Sequence, residues 1–222
     1  LLLVAGAAAL VAPGSRPSGA VACRGAAYDY CVQALGCTAA EATKAEGVLL
    51  PNFAERMTRA QAEERCGWLR SRLDLSDAEL KKVVLLIPTL LSHRVENMEP
   101  KLDWLQDRLD LDAAQLKKMV LRLPAVLSYS VEENLAPTLD WLQTRLGLDD
   151  AQLKKMVLKT PTLLGLSVED NMALKLEWLR TRLELDDAGL RKMVMTLPQL
   201  LYLSVEDNLA PKLDWLQDRL DL

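Results

Sequence analysis

Residues 197–215 read LPQLLYLSVEDNLAPKLDW, and variants of this line recur along the chain. The block from Trp104 to Asp140 matches the block from Trp178 to Asp214 at 23 of 37 positions. Three residue types mark the period: Trp68, Trp104, Trp141, Trp178 and Trp215; Pro88, Pro124, Pro161 and Pro198; Asn97, Asn134, Asn171 and Asn208. Self-similarity with a period of about 37 residues is typical of a solenoid, whose units stack on their neighbours.

One interval of the repeat is shorter than the others. Successive tryptophans are separated by 36, 37, 37 and 37 residues. The short interval reflects the loss of one residue, because Val95-Glu96-Asn97 stands where a later copy has Val131-Glu132-Glu133-Asn134.

Each unit is predicted to contain two helices. Asp112 and Gln115 form a capping box, in which each side chain bonds the backbone N–H of the other residue. Ser76 with Glu79 and Asp149 with Gln152 repeat the pattern. The apolar residues that follow have helical spacing, the periodic proline stops the helix, and a 3₁₀ turn is expected after it. We call this second helix of each unit the lysine helix.

The first helix of each unit, here called the tryptophan helix, carries the stripe Leu135, Leu139, Leu142 and Leu146. Ser130 and Glu133 indicate a cap. Pro137 leaves two interpretations: a helix starting at Asn134 with proline in its tolerant first turn, or a longer kinked helix. We favour the Asn134 start. Gly147 is expected to end this helix, with Asp110 and Glu184 in that position in other copies.

The predicted fold class is therefore all-α. No segment alternates with a period of two, so no sheet is expected. The expected architecture is a right- or left-handed α-solenoid of 37-residue repeats, each with two helices and a short 3₁₀ turn. The chain stops midway through a unit at Leu222, which predicts a longer array truncated at its C-terminus.

Composition excludes several other classes of protein. Of 222 residues, 50% are hydrophobic and 26% charged, which excludes a disordered tail, a collagen and a disulfide miniprotein. The net charge of -4 argues against a generally basic nucleic-acid binder. No phosphate-binding loop, nucleophile elbow or paired-carboxylate motif occurs, so an enzyme is not expected. The single histidine, His93, lacks partners for a metal site or a catalytic dyad, and no cofactor is predicted.

Basic residues concentrate on the lysine helices. They are Lys81, Lys82, Lys117, Lys118, Arg122, Lys154, Lys155, Lys159, Arg191 and Lys192. Equivalent positions stack in a solenoid, so Lys82, Lys118, Lys155 and Lys192 are predicted to form a ridge that tracks phosphates. The alternative is a solvated face that keeps the array soluble.

A second basic column, Arg108, Arg145, Arg182 and Arg219, lies four residues after each tryptophan, where packing of the arginine stem over the indole is expected. The tryptophans adjoin the leucine stripe and are expected to pack between repeats rather than to stack bases.

The N-terminal part lies outside the repeats. Residues 1–28 are predicted to be a signal or transit-like presequence, because the apolar run Leu1–Ala12 is too short to span a bilayer and Ala20-Val21-Ala22 resembles a cleavage site. Arg16 and Arg24 lie in a stretch with no acid before Asp29, a combination that resembles a bipartite plastid presequence. An ordinary secretory signal or a frayed gene-model end are the alternatives.

Residues 29–59 are predicted to be a helical lead-in, and 60–222 the array. Thr38 with Glu41 and Thr58 with Gln61 indicate two helices, the second running to Leu73. Cys23, Cys31, Cys37 and Cys66 lack the close pairs of a zinc site. A disulfide among the first three requires an oxidising compartment.

The recurring Leu-Pro-x-Leu-Leu-x-x-Ser-Val-Glu-x-Asn-Leu-x-Pro-Lys-Leu-x-Trp-Leu line resembles the repeats of the mitochondrial transcription termination factor (mTERF) family over about residues 60–222. The resemblance implies an all-α superhelix that binds double-stranded DNA or RNA during transcription, termination or RNA processing in mitochondria or plastids. This array departs from the family pattern in being neutral to acidic. A scaffold that binds another protein is the alternative, and no stable membrane insertion of the mature chain is expected.

Overall fold

The computed structural model describes residues 25–49 and 57–220, and in these ranges the chain forms eleven α-helices and no strand. The predicted all-α solenoid is confirmed. Two helices, α1 (Ala26–Gln33) and α2 (Ala39–Val48), precede the array. The tryptophan helices are α3 (Arg59–Leu73), α5 (Val95–Arg108), α7 (Ala136–Leu146), α9 (Leu174–Arg182) and α11 (Ala210–Leu220). The lysine helices are α4 (Asp77–Leu86), α6 (Ala113–Arg122), α8 (Asp150–Lys159) and α10 (Asp187–Thr196).

The predicted helix signals are present at the lysine helices. Gln115 N donates to Asp112 Oδ1 at 2.8 Å, and Asp112 N donates to Gln115 Oε1 at 3.2 Å. The capping boxes at Ser76 and Asp149, and those at Thr38 and Thr58 before the array, are also confirmed. A 3₁₀ turn begins at each periodic proline, namely Pro88–Ser92, Pro124–Ser128, Pro161–Gly165 and Pro198–Tyr202.

The favoured start of the tryptophan helix at Asn134 is wrong. Helix α7 begins at Ala136, and a π turn over Val131–Leu135 precedes it, closed by Leu135 N donating to the Ser130 carbonyl at 3.0 Å. Equivalent π turns span Val168–Ala173 and Val205–Leu209. In the copy that is one residue shorter, α5 is one continuous α-helix with Pro100 inside it. A π turn accommodates one more residue than an α turn, so it absorbs the additional residue of the longer copies.

The ends of the tryptophan helices adopt left-handed backbone conformations. Gly147 has a φ of 58°, and Asp74, Asp110 and Glu184 occupy the same position with φ values of 48°, 48° and 50°. The predicted ends at Gly147, Asp110 and Glu184 are thus confirmed. A non-glycine residue at positive φ carries a steric cost that glycine avoids.

The core is a column of leucines running through the repeats. Leu69, Leu105, Leu142 and Leu179, each directly after a tryptophan, are at most 2% exposed. Trp68, Trp104, Trp141 and Trp178 are half-buried and pack against this core, and their predicted place between repeats rather than on bases stays a prediction. Trp215, on the last described helix, is 63% exposed.

The lead-in has one helix more than the sequence predicted. The helices capped by Thr38 and Thr58 are α2 and α3, and α1 precedes them. Residues 1–24, with the predicted cleavage site and Cys23, lie outside the described residues. Cys31, Cys37 and Cys66 are buried free thiols, and burial raises the pKa of Cys66 to about 11. No helix within 25–49 and 57–220 has the length and apolarity needed to cross a membrane.

Candidate nucleic-acid interface

The first base of each lysine-helix pair joins two repeats. Lys117 Nζ donates to the carbonyl oxygen of Asp74 at 2.5 Å and lies 3.0 Å from the Glu79 carboxylate, both in the preceding repeat. Lys154 donates to the Asp110 carbonyl in the same way. In the last described pair, Arg191 Nε donates to the Leu146 carbonyl at 2.5 Å.

These contacts cap the ends of the tryptophan helices. The last carbonyls of an α-helix have no partner within the helix, and the helix dipole favours a cation there. The Glu79 carboxylate takes part in the same arrangement. Its pKa falls to about 2, because it accepts a hydrogen bond from the Ser76 backbone N–H and lies beside Lys117.

The bases at the last residue of two lysine helices also bridge repeats. Arg122 Nη1 donates to the carbonyls of Leu158 and Lys159 at 3.1 and 3.3 Å, and Lys159 donates to the Thr196 carbonyl. Six of the ten predicted phosphate-binding residues are therefore engaged in bonds to other parts of the fold. They are Lys81, Lys117, Lys154, Arg191, Arg122 and Lys159.

The remaining four predicted residues are exposed, and their side chains form no hydrogen bond or ion pair with any residue that the structure describes. They are Lys82, Lys118, Lys155 and Lys192, which we call the lysine ladder. One helical turn before each of them lies an exposed alanine: Ala78, Ala114, Ala151 and Ala188. The small side chain leaves the approach to the ammonium group open on that side.

Three of the arginines that follow the tryptophans, Arg108, Arg145 and Arg182, form ion pairs with the next repeat. Arg108 Nη2 lies 2.9 Å from Asp140 Oδ1 and 2.7 Å from Gln143 Oε1, and Arg182 lies 2.6 Å from Asp214. Arg145 lies 3.8 Å from Glu177. Each acid directly precedes a tryptophan, a periodic signal that could have revealed this role from the sequence. The packing of the arginine stem over the indole stays a prediction.

Bases on the tryptophan helices are engaged as well. Lys101 Nζ donates to the Leu127 carbonyl at 2.8 Å, and Lys175 Nζ donates to the Leu201 carbonyl at 2.9 Å. Arg65 makes the same kind of bond to Leu91 in the first repeat. These side chains are half-buried or buried, and burial lowers the pKa of both lysines. They fix three of the four described 3₁₀ turns to the tryptophan helix of the same repeat.

Neither the cavity beside Tyr129 nor His93 favours the binding of phosphate. A cavity of about 430 Å³ between two repeats is lined by Tyr129, Thr138 and the acids Glu133 and Glu169, so its charge would repel an anion. His93 Nε2 lies 3.2 Å from Ser128 Oγ, and burial lowers the pKa of the histidine. Within 25–49 and 57–220, no group of His, Cys, Asp or Glu side chains has the arrangement of a metal site.

Comparison with known proteins gives a family. The mTERF family model matches residues 48–148 and 141–220, which together span the whole described array. Among curated proteins, none matches the chain. The all-helical repeat with its 3₁₀ turns agrees with the match. The chain therefore belongs to the mTERF family.

Proposed function

We propose that this protein binds the phosphate backbone of double-stranded DNA or RNA through the lysine ladder. The observation that carries the proposal is the different environment of adjacent lysines. Lys117 is bonded across the repeat boundary, whereas Lys118 is exposed and without a partner among the described residues. The same division holds for Lys81 and Lys82, and for Lys154 and Lys155.

The net charge of -4 is compatible with this role because few acids lie beside the ladder lysines on their helices. On a helix, side chains three and four positions away are neighbours. Around Lys118 these neighbours are Ala114, Gln115, Leu121 and Arg122, and none is acidic. Around Lys82 the one acid is Glu79, which Lys117 neutralises at 3.0 Å.

The unpaired ammonium groups of the ladder supply the driving force for binding nucleic acid. A lysine that neutralises a phosphate releases a condensed counterion, so binding strengthens as salt falls. An ammonium that already pairs with a carboxylate contributes less, because that pair must first be broken. The ladder offers one such group in each of four successive lysine helices.

Membership of the mTERF family supports a place in organelle gene expression. We infer that the protein acts in transcription termination, transcription regulation or RNA processing in a mitochondrion or plastid. The acid-poor, arginine-bearing N-terminal stretch supports an organelle address. The half-buried tryptophans favour contact with the backbone of a duplex over stacking on single-stranded bases.

Fluorescence anisotropy with short duplex DNA, duplex RNA and the corresponding single strands tests the proposal. The full chain should bind duplex with a logarithmic salt slope of about −3.6 or steeper, as four or more phosphate contacts require. The quadruple variant Lys82→Ala, Lys118→Ala, Lys155→Ala and Lys192→Ala should lose most of this slope.

A matched control removes the same charge elsewhere. Arg94, Arg180, Lys212 and Arg219 are exposed bases outside the ladder, and all four are replaced by alanine in this control. The control should keep most of the slope. Equal losses in both variants, or no binding of the wild-type chain at low salt, would overturn the proposal and leave the protein-binding scaffold as the better function.

A further inference from the structure

Helices α1 and α2 have the backbone landmarks of the helix pair of an array repeat, although they precede the region that the tryptophan period defines. Gly36 follows α1 with a φ of 61°, and Asp74 follows tryptophan helix α3 with a φ of 48°. Two residues after each of these positions comes a capping box, Thr38 with Glu41 and Ser76 with Glu79. Position 36 therefore corresponds to position 74, with an offset of 38 residues.

The contact with the following repeat supports this correspondence. Lys81 Nζ donates to the Gly36 carbonyl at 2.9 Å and lies 3.1 Å from Glu41. One repeat later, Lys117 donates to the Asp74 carbonyl at 2.5 Å and lies 3.0 Å from Glu79. The α1–α2 pair is thus held to the array by the same two contacts that join the α3–α4 repeat to the following one.

Burial follows the same register. Cys31, Leu35, Cys37 and Ala42 are at most 8% exposed, and their counterparts Leu69, Leu73, Leu75 and Leu80 are at most 5% exposed. At the other extreme, Val48 is 52% exposed and its counterpart Leu86 is 59% exposed. The α1 and α2 helices therefore present the same faces to the core and to solvent as α3 and α4.

The side chains have diverged while the geometry remains. Tyr30 stands in place of Trp68, and cysteine or alanine replaces leucine at several buried positions. Over residues 30–48 and 68–86 only four positions are identical: Leu35, Ala40, Glu41 and Lys44. Leu35 is a core residue and Glu41 belongs to the capping box. The other two have no such structural role.

Ala40 and Lys44 correspond to Ala78 and Lys82, and both are exposed. Like those of the ladder lysines, the side chain of Lys44 forms no hydrogen bond or ion pair with the described residues. An exposed alanine followed one turn later by an exposed lysine thus recurs in all five second helices, from α2 to α10. Packing does not require this pair, because the side chains lie away from the core.

We propose that residues 26–48 are a degenerate repeat whose Lys44 is a further phosphate-binding residue. This inference rests on the proposed function, and it extends the ladder by one repeat towards the N-terminus, beyond residues 48–220 that match the family. The protein then contacts one more phosphate of the duplex than the four ladder lysines do.

The test uses single variants of the full chain and a short DNA duplex in the same anisotropy titration. Lys44→Ala should weaken binding about fivefold at about 0.15 M salt and reduce the salt slope by about one, as the loss of one phosphate contact requires. Lys118→Ala, in the lysine ladder, should have an effect of the same size. Arg94→Ala removes one exposed charge outside the ladder and is the matched control, and Lys44→Arg should keep the wild-type slope.

The outcomes separate the two proposals. If Lys118→Ala weakens binding and Lys44→Ala behaves like Arg94→Ala, the proposed phosphate contact of Lys44 is wrong while the proposed function stands. If neither ladder variant differs from the control, or the wild-type chain does not bind, both are wrong. A thermal melt of Lys44→Ala should match that of the wild type, because Lys44 is exposed and without a partner among the described residues.

Discussion

Lys117 and Asp74 are 43 residues apart in the chain, and the lysine ammonium donates to the aspartate carbonyl at 2.5 Å. The next residue, Lys118, has no partner in the part of the chain that the structure describes. Two adjacent lysines therefore have different roles, one in holding repeats together and one available to a ligand. This division can be tested by stability and by binding separately.

Lys117→Ala should lower the free energy of unfolding by about 1 to 2 kcal/mol, because it removes a charged hydrogen bond to a helix end and a partly buried ion pair. Lys118→Ala should change it by no more than about 0.5 kcal/mol, as is usual for an exposed residue without partners. Urea denaturation measures both. Equal effects would contradict the division of roles.

Stability should depend on the protonation of Glu79. Its pKa is about 2 in the folded protein and about 4.3 in an unfolded chain, so its contribution is present above about pH 4.3 and is lost as pH falls towards 2. Melting temperatures of the wild type and of Glu79→Gln should therefore converge between about pH 5 and about pH 2. In Lys117→Ala part of this dependence should remain, since the Ser76 N–H is the largest cause of the shift. A constant difference between wild type and Glu79→Gln would contradict the assignment.

Glu184→Gly should stabilise the protein by about 0.5 to 1 kcal/mol, because Glu184 adopts a φ of 50° that glycine accepts without steric cost. The reciprocal change, Gly147→Ala, places a methyl group at a φ of 58° and against the Arg191 guanidinium. It should destabilise the protein by about 1 kcal/mol or more. Urea unfolding of the two variants should give opposite signs, and a shared sign would argue against the backbone explanation.

Deleting Glu132 should convert the π turn over Val131–Leu135 into an α turn, because the repeat with Val95-Glu96-Asn97 has one residue fewer and a continuous helix. The expected loss of unfolding free energy is about 1 kcal/mol or less, since the core register is kept. Deleting Lys155 from α8 rotates the buried Met156 and Val157 by about 100° relative to the preceding turn and should unfold that repeat. Circular dichroism and urea melts distinguish the two, and unfolding by both deletions would contradict the π-turn explanation.

Local signals in the sequence predicted most of the fold. The capping boxes, the prolines before the 3₁₀ turns and the leucine stripe each act over a few residues, so they can be read without knowledge of the partners. The predicted start of the tryptophan helix at Asn134 is wrong, because proline tolerance and capping favour that start but do not reveal the π turn that precedes Ala136. The one-residue difference between copies was visible, but its consequence depends on how the backbone accommodates the additional residue.

The sequence by itself determined the helical class, the period and the ten basic residues from which a phosphate-binding surface could be built. Only the tertiary structure divided these bases into those that join repeats and those that are free to bind a ligand. Lys117 and Lys118 have the same charge and differ only in the groups that lie beside them. It also showed that Gly36 and Asp74 occupy the same place in successive repeats, although little sequence identity remains around them. Helix periodicity is a property of the local chain. The bonds of each lysine, and the equivalence of two repeats, depend on contacts between residues that are more than 30 positions apart.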